Sequence, residues 1–83
     1  MKNIGDNCNL SELKIGDKAI VTKLDISNKA VRRHLLDMGM TRGAQVQIKK
    51  IAPMGDPIDV ELRGYELALR KEDLKLIQGE VIK

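Results

Sequence analysis

The run "IDVELRGYELALR", residues 58–70, sets apolar and polar side chains in alternation on both sides of Arg63–Gly64. Period two is a strand signature, because successive Cβ atoms point to opposite faces. Ile58, Val60 and Leu62 share one face, against Asp59, Glu61 and Arg63. Tyr65, Leu67 and Leu69 repeat the pattern against Glu66, Ala68 and Arg70. Two such runs broken by a glycine predict an antiparallel hairpin with one face in a core.

The flanking chain fits that frame. "TRGAQVQIKKI" alternates again, with Ala44, Val46 and Ile48 on one side and Gln45, Gln47 and Lys49 on the other. The connection "APMGDP" puts two prolines around Met54, Gly55 and Asp56. Residues before proline are pushed toward extended backbone, and glycine admits positive φ, so a tight turn is expected. Pro57 lacks a ladder donor and belongs at a strand start or an edge. "AIVTKLDI", residues 19–26, is rich in β-branched residues and reads as a strand, with Ile20, Leu24 and Ile26 on one face and Ala19 and Val21 on the other. "KED" interrupts the pattern after Arg70, and "LKLI" reads as a last short strand.

"SNKAVRRHLLDMGM" changes period. Val31, Leu35 and Met38 follow i, i+4, i+7 spacing, with Leu36 beside them. Ser27 or Asn28 is a natural N-cap and Gly39 a natural C′ residue, which predicts one helix of about three turns. Its outer face carries Lys29, Arg32 and Arg33. Leu10 and Leu13 suit a single helical turn, and "IGD" at 15–17 a loop turn. Residues 1–9 read as a loose, flexible start, and residues 10–83 as one domain. The expectation is five short strands with one helix between the first two, closing into a small barrel that hides its strand edges.

Composition limits what such a domain does. With no Trp, no Phe and one Tyr, the core is aliphatic. The net charge of +3 is spread among interleaved acids, and aromatic platforms for stacking bases are missing, so nucleic-acid binding is not expected. Cys8 is the single cysteine, which excludes an internal disulfide and fits a reducing cytosol. No stretch approaches about 20 continuous apolar residues, and "MKNIGDNCNL" lacks an apolar signal core, so neither membrane insertion nor export is expected.

Catalytic constellations are sparse. His34 is the only histidine; with Asp37 at i, i+3 it makes two metal ligands, and Cys8 joins them only through a fold contact. A zinc site takes three or four protein ligands, so these three residues are weak metal candidates. No phosphate-binding GxxxxGK[ST] loop is present, and a non-enzyme is expected. Met38 and Met40 flank the helix end and suit core filling. Met54, at the tip of a tight turn, is either folded back over the barrel or exposed for a partner. Asp56 suits capping of backbone N–H groups.

The segment "LLDMGMTRGAQVQIKKIAPMGDPIDVELRGYELALRKEDLKLI" resembles the FeoA family, the small ferrous iron transport protein A, and "LSELKIGDKAIV" resembles that family's opening. The likeness covers about residues 10 to 78, with Ile15 and Arg42 standing where the family often has proline. The resemblance implies a mainly β, SH3-like barrel of about five strands with one inserted α-helix. A related domain ends repressors of the diphtheria-toxin-repressor type. The likeness also implies a cytosolic accessory protein acting beside FeoB, a membrane ferrous iron transporter with a GTPase domain. No resident cofactor is expected. The family's transition-metal association makes weak ferrous iron binding, or metal sensing, the alternative function. A regulatory peptide-binding domain is a third reading. For the partner-binding reading the candidate residues are Met54, Asp56, Arg32 and Arg33.

Overall fold

The computed structural model describes residues 3–83. Its strands are β1 (Asn7–Asn9), β2 (Lys18–Leu24), β3 (Gln45–Ile51), β4 (Ile58–Leu62), β5 (Tyr65–Leu69) and β6 (Ile77–Ile82). Helix α1 (Lys29–Asp37) joins β2 to β3, and the four-residue α2 (Lys71–Leu74) joins β5 to β6. A 3₁₀ turn, Leu10–Glu12, seats Leu10 in the core, as the leucine spacing suggested.

All pairings are antiparallel, in the order β1-β6-β2-β3-β4-β5. Among the described residues, six strands and two helices therefore replace the five strands and one helix expected. Hydrogen bonding does not close the sheet into a barrel, because the order has two ends, β1 and β5. The reason lies in β6. After β5 the chain turns through α2 and enters between β1 and β2, so it leaves β5 paired on one side. Register shifts between Val21 and Lys23 and between Ile48 and Lys50 interrupt the ladders. Such bulges increase twist and bend a strand, which lets an open sheet wrap its apolar face.

Of the loose start expected over residues 1–9, residues 1 and 2 lie outside the described residues. Asn7–Asn9 is a strand, with Cys8 opposite Gly79 of β6. The last strand also departs from "LKLI". Lys71–Leu74 is helical, and β6 begins at Ile77, where Ile77, Gly79 and Val81 face the interior.

The core matches the aliphatic composition. Leu10, Ala19, Val21, Leu35, Met40, Val46, Ile48, Val60, Leu62, Leu74 and Ile77 are all buried. On β2 the inward face is that of Ala19 and Val21, whereas Ile20 is half-buried. On β5 only Leu69 is buried; Leu67 is half-buried and Tyr65 exposed, because an edge strand has less covering it.

Helix α1 forms as its signals require. Asn28 Oδ1 accepts from Ala30 N–H at 2.9 Å and Val31 N–H at 3.2 Å. At the other end Gly39 N–H donates to Leu36 O and Met40 N–H to Leu35 O, both at 3.0 Å. These are the two bonds of a Schellman motif, with Gly39 at φ +96°. A side chain on Gly39 would also crowd Tyr65, whose hydroxyl donates to the Met38 carbonyl. The β4–β5 turn, Arg63–Gly64, has positive φ at both residues (54° and 86°), the signature of a type I′ hairpin. Arg63 Nη2 donates to Thr41 Oγ1 at 3.3 Å, so turn and helix end are tied twice.

Among the glycines, Gly79 has the least room for a side chain. A Cβ there would lie 2.9 Å from Leu10 Cδ2, 3.2 Å from Ile20 O and 3.3 Å from Ala19 Cβ. We expect Gly79→Ala to destabilise the fold by about 1–3 kcal/mol, as overpacking does. Thermal denaturation should show a fall of roughly 4–8 °C per kcal/mol in the midpoint.

Candidate functional site

The most prominent exposed feature is the β3–β4 connection. Its turn is closed by Gly55 N–H donating to Ala52 O at 2.7 Å and by Ala52 N–H donating to Pro57 O at 3.1 Å. Gly55 takes φ +85°, and the Asp56–Pro57 peptide is cis. Asp56 Oδ1 accepts from Lys71 N–H at 2.8 Å, so Asp56 does cap a backbone donor. The donor belongs to the first turn of α2, whose N-cap, Arg70, supplies no side-chain hydrogen bond. The tip is thus closed locally by Ala52, Gly55 and Pro57 and tied to the body of the domain through Asp56.

Met54 itself is 93% exposed. Of its two expected placements, the structure shows the outward one. A shallow groove beside the tip is lined by Ile15, Ile51, Ala52, Pro53 and Pro57, with Lys50 and Asp59 at its polar margin. Ile15 is 62% exposed, so two large apolar side chains stand in water on this part of the surface. Sequence reasoning passed over Ile15 as a turn residue. An isoleucine next to a Gly-Asp turn, where a polar residue solvates better, was the available signal.

The remaining candidates are scattered. Arg32 and Arg33 are exposed on α1, as the helical pattern predicted. His34 and Asp37 are exposed on the same helix. Cys8 is buried on β1, opposite Gly79 in the sheet, so the structure does not assemble it with the helix pair. Among the described residues no three His, Cys, Asp or Glu side chains cluster closely enough to hold a metal ion. Among the described residues no helix is long and apolar enough to cross a membrane.

The chain is a small antiparallel β module that carries an exposed methionine on a hydrogen-bonded turn. Residues 8–81 match the FeoA domain family, and the chain belongs to that family. It is 33% identical over 73 residues to a fusion protein of Fe(2+) transport protein A and the Fe(2+) transporter FeoB from Porphyromonas gingivalis. That match covers 88% of this chain and 8% of the fusion protein's length. A FeoA protein from Chlorobium tepidum superposes with a TM-score of 0.84 at 41% identity, covering 90% of this chain and 70% of that one. Stenotrophomonas maltophilia FeoA, described as an SH3 domain protein and solved with zinc, gives 0.75 at 28% identity, covering 86% and 87%. The fold, though not the sequence, recurs in a manganese-dependent transcriptional repressor, at a TM-score of 0.85 and 14% identity over 92% of this chain and 37% of that one. The SH3-like and repressor-domain resemblances therefore both hold at the level of fold.

Removing the Asp56 carboxylate should loosen the brace. Asp56→Ala is expected to lower stability by about 1 kcal/mol, the usual loss for an N-terminal cap. Asp56→Asn, which keeps an oxygen acceptor, should lose less, and thermal melts of the two variants side by side check the order.

Proposed function

We propose that the chain is an accessory protein of ferrous iron uptake that acts by docking on the cytosolic region of a FeoB-type membrane transporter. The observation that carries this reading is the P. gingivalis relative, in which Fe(2+) transport protein A and FeoB are one polypeptide. Covalent linkage raises the effective concentration of two modules, which is useful when they work on each other. Met54 gives the reading a physical anchor. Burying a methionine of its exposure in a partner contributes about 1.5–3 kcal/mol. A tip held by hydrogen bonds also loses little conformational freedom on binding. The exposed Arg32 and Arg33 supply a cationic surface that would speed encounter with an acidic partner.

A second reading, direct transition-metal binding, draws support from the zinc-bound S. maltophilia relative. In this chain it would start from His34 and Asp37, three residues apart on α1. Anaerobic ferrous titration of wild type and His34→Ala separates the readings. Equal, weak binding by both removes the metal site.

Titration against the cytosolic region of a matching transporter tests the main reading. Met54→Asp should weaken binding about tenfold or more, a loss of about 1.4 kcal/mol or more. Its melting temperature should stay near the wild-type value, because the side chain packs on little. Folded wild type that shows no binding at high micromolar concentration would sink the proposal.

A further inference from the structure

We propose that the Met54 thioether is an oxidation site for hydrogen peroxide, and that its conversion to the sulfoxide releases the chain from its transporter; the second half rests on the docking reading above. The described methionines differ sharply in access. Met54 is 93% exposed, Met40 is 0% exposed, and Met38 is half-buried against the core. Peroxide must reach the sulfur to react. In the step, a sulfur lone pair attacks one peroxide oxygen, the O–O bond breaks and an S–O bond forms. The leaving hydroxide takes the proton from the transferred oxygen and departs as water, so sulfur loses two electrons and peroxide gains them.

The product differs where it matters. A thioether is a flexible apolar group, whereas the sulfoxide is polar and disrupts methionine-built interfaces. Bringing its oxygen into an apolar contact without a donor is unfavourable. The fold itself is insulated from the change. The turn is closed by Gly55 N–H to Ala52 O, and the loop is held by Asp56 to Lys71 N–H; neither bond uses the Met54 side chain. Oxidation therefore alters the chemistry of the tip without moving it. Because sulfoxides are enzymatically reducible, the change is reversible.

The test treats the full-length protein with hydrogen peroxide and follows sulfoxide at each methionine by peptide mass spectrometry. Met54 is expected to oxidise at least about tenfold faster than Met40, since susceptibility follows exposure. Binding to the transporter's cytosolic region is then measured before and after treatment. Oxidised wild type should bind about tenfold or more weakly and regain affinity after methionine sulfoxide reductase treatment. For Met54→Leu the affinity before and after peroxide should be equal, whatever its starting value. Oxidation of Met54 no faster than that of Met40 overturns the site. Unchanged affinity of protein fully oxidised at Met54 overturns the release. Failure of untreated wild type to bind removes the docking reading and the release with it, while the mass spectra still decide the oxidation site.

Discussion

Insertion of β6 between β1 and β2 is the constraint on which the rest of the domain depends. It brings the first and last strands together within one sheet, pairing with β1 on one side and β2 on the other. The insertion works because Gly79 has no side chain. Leu10 from the 3₁₀ turn fills that space, with Ala19 of β2 as the small neighbour. Leu10, Ala19 and Ile77 are buried together in the one core cluster. A small domain with no Phe or Trp has few large groups to fill gaps, so close approach of backbones does the filling instead.

At the other side of the sheet, the end of α1 is locked to the β4–β5 turn. The Tyr65 hydroxyl meets the Met38 carbonyl, and the Arg63 guanidinium meets Thr41. A non-glycine residue at positive φ is uncommon, and Arg63 holds that conformation while reaching across to the helix end. These ties position β4, whose opposite end leads back to the Met54 tip. There Asp56 takes over, linking the tip to α2. The apolar tip is therefore held from both ends of the same hairpin system.

The polar and ionisable side chains of α1 face solvent, and the one thiol is inside. What the surface offers is a fixed methionine, an exposed isoleucine, an apolar groove and a cationic helix face. Membership of the FeoA family associates the chain with ferrous iron transport, and under the proposed function a FeoB-type transporter is the surface these features meet.

Local signals in the sequence determined α1, with its Asn28 cap and Gly39 terminus, and the β3, β4 and β5 strands with the turn at Arg63–Gly64. In each, the information lies within a few residues: a period, a cap, a glycine at positive φ. The motif resemblance supplied the family for the same reason, because its glycines and prolines mark turns that local geometry demands. Tertiary structure alone decided the rest. β1 is three polar-flanked residues that become a strand only because β6 lies beside them. In β6 the alternation of Ile77, Gly79 and Val81 was present, but a glycine at an interior position reads as a break until Leu10 is seen to occupy its place. The turn of α2 receives its cap from Asp56, fifteen residues earlier in sequence. The outward placement of Met54 was also left open by the sequence. Its turn closes locally, between Ala52, Gly55 and Pro57, but the bond that ties it to the rest of the domain, from Lys71 N–H to Asp56, spans fifteen residues.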